Sequence, residues 1–331
     1  MRHIIIGTGA VGGVVGGLLA SVGKDVVLVA RNAQLEALRT RGLEVTTASG
    51  TVRVEPPVAA GPQDVELRAD DVLVLAVKSQ DTPAALGDWA DRPVAGGGTA
   101  AERLPVVCAQ NGVDNEREAL RRFASVVAMC VWLPATYLEP GRVSAGGTPV
   151  PGVLTVGPAA PVADPDLVTA YARDLVGAGF DAPVTADVMQ WKYRKLLSNL
   201  GNAVEALCGT TRNDAVAELS ARAEAEGRAV LSAAGVAVLD EAVHDAARAG
   251  FRMTRLPGQE RTGGSSWQSL VRGTGSIEAD HLNGEIVLLG RLHGVATPVN
   301  AVLQRHARQA ARTGATPGST TAGALLSETS V

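Results

Sequence analysis

Lys195, Asn199 and Asn202 fall within one stretch of the second half, Lys195-Leu196-Leu197-Ser198-Asn199-Leu200-Gly201-Asn202. On an α-helix the offsets i, i+4 and i+7 put one cation and two amides on a single face. An apolar stripe is what such a face ordinarily carries, so three polar side chains there either meet solvent or line a cleft. A lysine held beside a bound cofactor and partly desolvated has a lowered pKa and can act as a general acid. Spacing alone does not separate that role from a solvent-facing helix. Farther on, Ser265-Ser266-Trp267-Gln268 precedes Ser276-Ile277-Glu278-Ala279-Asp280. A serine hydroxyl can cap a helix or donate to a carboxylate, and Glu278 near a helix start can be a favourable dipole charge and nothing more. Spacing makes neither of them catalytic.

A second constellation opens the chain. Gly7-Thr8-Gly9-Ala10-Val11-Gly12 directly follows the β-branched run Ile4-Ile5-Ile6. In a strand-to-helix turn, Gly7 permits the tight turn, Gly9 lets the backbone approach a pyrophosphate, and Gly12 lets the helix pack close to the sheet. The helix N-terminus adds free N–H groups and positive partial charge for phosphate oxygens. About twenty residues on, where an NAD-specific protein places an acid on the ribose hydroxyls, the chain reads Val29-Ala30-Arg31-Asn32. A guanidinium pairs with a 2′-phosphate and an acid repels it, so Arg31 favours NADPH over NADH. Two later apolar runs end in Val77-Lys78-Ser79-Gln80 and Gln110-Asn111-Gly112. Lys78 can reach cofactor or substrate, and Asn111 can hold the nicotinamide amide or a substrate oxygen. Taken singly, each is an ordinary polar loop residue.

The elements needed to place these groups are legible as alternation. Strands are expected at 2–6, 25–29, 72–76, 106–109 and 126–131, with helices near 11–22, 33–40, 82–90 and 115–123. That is the pattern of a parallel sheet with crossover helices. Alternating apolar residues from Leu43 to Val54 about Ser49-Gly50 suggest a hairpin, and antiparallel strands are expected around 141–144 and 153–156. From about Asp187 helical periodicity takes over, at 188–207, 214–234, 240–249 and 277–293. The fold class expected is therefore α/β, a Rossmann-type N-terminal domain with an all-α C-terminal domain. Its divisions are 1–186, 187–312 and a disordered tail at 313–331, the tail being rich in Gly, Ser, Thr and Ala.

Composition excludes several classes. The 331 residues carry 30 Lys+Arg against 34 Asp+Glu, a net charge of −4, which argues against a nucleic-acid partner. From Ile4 to Val22 no residue is charged, but six glycines interrupt the run, so a strand breaking into a glycine turn fits better than a membrane span or a signal peptide. A soluble, uncleaved, cytoplasmic protein without membrane association is expected. Cys108, Cys130 and Cys208 are too scattered for a disulfide framework, and the five histidines show no zinc-ligand spacing.

Taken in order, these pieces resemble the ketopantoate reductase (2-dehydropantoate 2-reductase) family of NADPH-dependent two-domain enzymes. The likeness covers about residues 1–310, from the glycine loop through Arg31, Val77-Lys78, Gln110-Asn111-Gly112, Lys195-Leu196-x-x-Asn199, Ser266 and Glu278 to Asn283-Gly284. It implies a small 2-oxo acid substrate, with Lys195 the general acid that protonates the carbonyl oxygen as hydride arrives. Glu278 then supports Lys195 and the substrate hydroxyls. Asn111, Asn199, Asn202 and Ser266 position substrate, and Arg31, Lys78 and the glycine loop belong to NADPH. Family members usually carry a second asparagine eight residues after the lysine, where this chain has Ala203 with Asn202 one position earlier. Substrate identity is what that departure leaves open. Reduction of another ketone or an imine, and an NADPH-sensing protein without catalysis, are the alternatives; a homodimer is left open.

Overall fold

The computed structural model describes residues 1–161, 163–256, 263–273 and 275–329. The chain divides into two units. The first is Met1–Lys192 with the described residues of Ala242–Gly258, and the second is Tyr193–Glu241 with those of Gln259–Val331. The division thus falls inside the helix Val188–Asn199, not at 186/187, and a segment expected in the helical domain returns to the first unit. A short antiparallel ladder ties that segment in, Arg252–Met253 against Gly147–Thr148.

The first unit is built on a seven-stranded sheet. Its spatial order is Val153–Pro158, Ser125–Trp132, Pro105–Cys108, Asp71–Leu75, Arg2–Ile6, Asp25–Val29 and Val58–Ala59. All neighbours are parallel except Val153–Pro158, which runs antiparallel to Ser125–Trp132. Parallel strands covered on both faces require unbroken apolar runs, and Ile4, Ile5, Leu73, Val74, Val106 and Val107 are buried accordingly. A second sheet orders Gly50–Val54, Leu43–Thr47, Arg142–Ala145 and Ala135–Glu139, its first pair the expected hairpin.

The helix Ala10–Ser21 lies between the two sheets, which explains its glycines. A Cβ at Gly16 would fall 2.8 Å from Leu28 Cδ2 of the large sheet, and one at Gly17 would fall 2.4 Å from Val45 Cγ2 of the small one. Adjacent residues thus serve opposite sheets, and backbone packs directly on side chains. The uncharged run is an interior helix. Among the described residues no helix is long and apolar enough to cross a membrane.

The second unit is helical. Val188–Asn199 and Gly201–Cys208 are separated at Leu200, and Asp214–Ala233 crosses them where Gly227 has Leu197 and Leu200 within a Cβ's reach. The Leu200 carbonyl, at the break, accepts from Asn283 Nδ2 at 3.2 Å. That amide also donates to Asn300 Oδ1 at 3.0 Å, and Asn300 Nδ2 donates to the Ala223 carbonyl at 2.9 Å. Three helices are thereby pinned around the one-residue interruption. Glu278 lies on its own 3₁₀ turn, Glu278–Asp280, before the helix Asn283–His293. Pro298 opens the helix Pro298–Thr313, where its missing N–H costs nothing.

The tail corrects the sequence reading. Within 313–331, the described residues fold back on the unit: Gly318 N donates to the Ala206 carbonyl and Thr320 N to that of Leu207. A helix Ala322–Ser327, capped by Thr321, buries Ala322 and Leu325. Glu328 beyond it pairs with Arg305 and with His306, contacts of sequence-distant residues that composition does not reveal.

Candidate active site

Register brings the glycine-loop constellation together. Ile6 pairs with Val29 on one side and Leu75 on the other, and Leu75 pairs with Cys108. The glycine loop, Arg31, Lys78 and Asn111 therefore leave the sheet at one carboxyl edge, where ligands of open α/β sheets collect. The three glycines have three surroundings. Gly7 has φ +98, and a Cβ there would stand 2.7 Å from Val77 N. At Gly12 it would stand 2.2 Å from the Gly7 carbonyl oxygen and 2.9 Å from Ala76 Cβ. At Gly9 it would meet nothing within 4 Å. Two glycines close the turn and the middle one leaves backbone open, as a pyrophosphate cradle requires. No side chain caps the helix start, and its first turn holds no acid.

The loop is held from beneath. Thr8 is buried and its Oγ1 donates to the Val29 carbonyl at 3.0 Å, while Gly7 N and Thr8 N donate to the same oxygen. Thr8 is thus committed to the loop through its side chain. Gln34, which the sequence reading did not single out, donates to the Thr8 carbonyl at 2.9 Å and accepts from Tyr137 Oη and Gly141 N at 3.0 and 2.8 Å. On sequence it is one polar residue of a short helix, with no signal to distinguish it. Arg31 is exposed, and its guanidinium lies 3.4 Å from the exposed carboxylate of Asp88. Such a pair contributes little, so the guanidinium can turn to a stronger anion. Asn32 follows at φ +53, one of the few non-glycine types that tolerate it, and swings the chain into the next helix.

Lys78 and Asn111 are half-buried at neighbouring strand ends. Between them runs a buried polar network. Gln110 Nε2 donates to the Val77 carbonyl at 2.9 Å and to Thr82 Oγ1 at 2.8 Å; Thr82 Oγ1 donates to Asn115 Oδ1 at 2.7 Å. Asn115 Nδ2 donates in turn to the Asn111 carbonyl at 3.0 Å. Lys192 Nζ donates to the Gln110 carbonyl at 3.1 Å and pairs with Glu116, both side chains fully buried. Burial pushes the Glu116 carboxyl up from its ordinary value, against the pull of Lys192. Burial likewise holds the Cys108 thiol well above its usual range, which leaves it un-ionised and no nucleophile.

In the second unit, Lys195 is 8% exposed, Asn199 9%, Ser266 3% and Glu278 4%. The four polar side chains do not meet solvent. Burying them is costly unless something answers each one, yet Asn199 Nδ2 has no hydrogen-bond partner among the described residues. Asn202 lies past the helix break, half-buried, with its Oδ1 3.5 Å from where a Cβ on Gly264 would be. Gly264 caps the helix Ser265–Val271, which carries Ser266, and its N–H donates to Glu205 Oε2 at 2.7 Å. Asn202 and the Ser266 helix are therefore neighbours. Ala203, the next residue, is buried.

Residues 3–161 match the family described as Ketopantoate reductase PanE/ApbA, and residues 187–311 match Ketopantoate reductase PanE/ApbA C terminal. A 2-dehydropantoate 2-reductase of Mycobacterium tuberculosis is 33% identical over 307 residues, 90% of this chain and 94% of that protein. This chain belongs to the ketopantoate reductase family. It is accordingly a pyridine-nucleotide-dependent oxidoreductase by family. The PanE/ApbA ketopantoate reductase of Ralstonia eutropha JMP134 is similar in structure, with 28% identity, a TM-score of 0.77, and coverage of 95% of this chain and 99% of that one. D-mandelate dehydrogenase, solved with NADH and anilino(oxo)acetate, shares the fold at TM-score 0.78 and 19% identity, covering 96% and 100%.

Proposed function

We propose that this ketopantoate reductase family member uses NADPH to reduce a small 2-oxo acid to its 2-hydroxy acid, with 2-dehydropantoate as the substrate and pantoate as the product. The observation that carries the reading is the burial of Lys195, Asn199, Ser266 and Glu278, four polar groups that a helical scaffold would otherwise turn to water. The nicotinamide cofactor, when bound, supplies the hydride. The open backbone at Gly9 and the uncapped helix start suit its pyrophosphate, and the exposed Arg31, held among the described residues only by the surface pair with Asp88, suits a 2′-phosphate. Lys78 serves the cofactor, and Asn111 serves both the cofactor and the substrate oxygen.

The rest is work for this chain's own side chains. Lys195 Nζ gives its proton to the carbonyl oxygen, so that charge building on that atom is neutralised as the new C–H bond forms. Glu278 supports the ammonium and the substrate hydroxyls. Asn199, through an N–H donor without a partner among the described residues, holds the substrate together with Asn202 and Ser266. Asn202 stands one position before the place of the family's second asparagine, so substrate recognition is where this chain departs most from the family pattern. Loss of reduced-nicotinamide absorbance with NADPH or NADH against a panel of 2-oxo acids tests the reading. Turnover of 2-dehydropantoate with NADPH is expected; turnover confined to other carbonyls, or equal use of NADH, would overturn the substrate or the cofactor assignment respectively.

A further inference from the structure

We propose that Glu116 and Lys192 are positioning residues for the reduction: a buried ion pair that fixes Asn111 from one side and the start of the Lys195 helix from the other. The proposal rests on the reductase reading given above. Both side chains are 2% exposed, and Lys192 Nζ has a second acceptor, the Gln110 carbonyl at 3.1 Å. A buried pair of this kind is a weak source of stability, since apolar residues of similar volume often do as well. What it adds is direction.

The residues on which that direction acts are specific. Gln110 is the neighbour of Asn111, and its side chain reaches the Val77 carbonyl, next to Lys78. Asn115, the neighbour of Glu116, holds the Asn111 carbonyl itself. The strand end carrying Asn111 is thus gripped at two successive carbonyls, and both grips lead to the ion pair or to the residue beside it. On the other side, Lys192 precedes Lys195 by three residues on Val188–Asn199. Three residues advance about 4.5 Å along a helix and return to within about 60° of the same face. Fixing Lys192 therefore fixes the rotation and height at which Lys195 is presented. Lys192 Nζ bonds Glu116 and the Gln110 carbonyl, so the influence of the pair on the chemistry passes through Asn111 and Lys195.

The test compares wild type with the Glu116→Met/Lys192→Met double variant, which keeps volume and removes charge together. The expected result is a thermal midpoint close to wild type, an NADPH dissociation constant within about twofold, and a kcat for 2-dehydropantoate at least about tenfold lower with KM changed less, the mark of misplaced groups. A double variant with wild-type kcat would overturn the proposal. Should the double variant fail to fold, Glu116→Gln replaces it: a kcat lowered several-fold at unchanged thermal midpoint supports positioning, and unchanged kcat contradicts it. Hydrogen exchange without substrate gives a readout independent of the reaction. Faster exchange at residues 109–113 and 190–196, with 4–22 unaffected, is expected, and unchanged exchange there would overturn the proposal even if wild type reduced no 2-oxo acid; that inactivity by itself would defeat only the substrate reading.

Discussion

The glycine loop and the buried polar group of the second unit are two ways of making a site. The loop is made of backbone: Gly7 and Gly12 are tight against Val77 and the loop's own carbonyl, and Gly9 is open. The second is made of side chains on helices, buried where a helix usually presents apolar residues, with an amide donor of Asn199 unspent among the described residues. A backbone site is a constraint on conformation, and a side-chain site is a constraint on burial and company. Substitutions should therefore fail differently in the two.

The largest effect is expected at the side-chain site. Lys195→Ala should lower kcat by about a hundredfold to ten-thousandfold, the usual worth of a positioned proton donor, while NADPH affinity by fluorescence titration stays near wild type. A large loss of NADPH affinity instead would move Lys195 to the cofactor side and blur the contrast. At the backbone site, Gly12→Ala and Gly9→Ala separate structure from binding. The first forces a Cβ against a carbonyl oxygen that cannot yield and should cost about 2–4 kcal/mol in urea denaturation. The second should leave stability unchanged and weaken NADPH.

Arg31→Ala should weaken NADPH by about tenfold to a hundredfold, as the loss of a charge-assisted bond implies, and leave NADH binding unchanged. Equal loss for both cofactors would remove Arg31 from 2′-phosphate recognition.

Least in size is an effect outside both sites. Buried His3 donates from Nε2 to the Asp174 carboxylate at 2.9 Å, near Tyr171, with Lys24 on the same carboxylate. Burial pushes its pKa down from 6.5, and the Asp174 attraction only partly offsets this. A folded pKa below the unfolded one means the stabilising contribution is complete above about pH 6.5 and is lost as pH falls through the folded value. Unfolding free energy should thus drop on acidification below about pH 6.5, and His3→Gln should flatten that limb by at most about 1.4 kcal/mol per pH unit.

How much could be read from the sequence follows the same divide. The strands Arg2–Ile6 and Asp25–Val29 and the helix Thr82–Ala90 are found at the expected bounds, because β-branched runs, glycine turns and a Pro near a helix start act locally. Thr8 was legible as part of the loop but not as its anchor, since its partner Val29 lies 21 residues away. Gln34, Glu116 and Lys192 gave no signal, because nothing local shows that a polar residue will be buried against another strand end. Lys195 and Asn199 were visible as a pattern and ambiguous until burial was known. The helix Pro165–Gly177 was missed although Asp164-Pro165 marks its start, with Asp164 accepting from Asp166 N. The docked 313–329 segment was misjudged because composition reports average polarity and not the placement of Leu325.

Chemical rescue of Lys195→Ala tests the proton-donor assignment most directly. With NADPH and 2-dehydropantoate saturating, small primary amines of graded pKa should restore hydride transfer in single-turnover experiments, with a rate that follows the amine's acidity. Hydride transfer in the variant at the wild-type rate without added amine would show that the proton comes from elsewhere and would contradict the account.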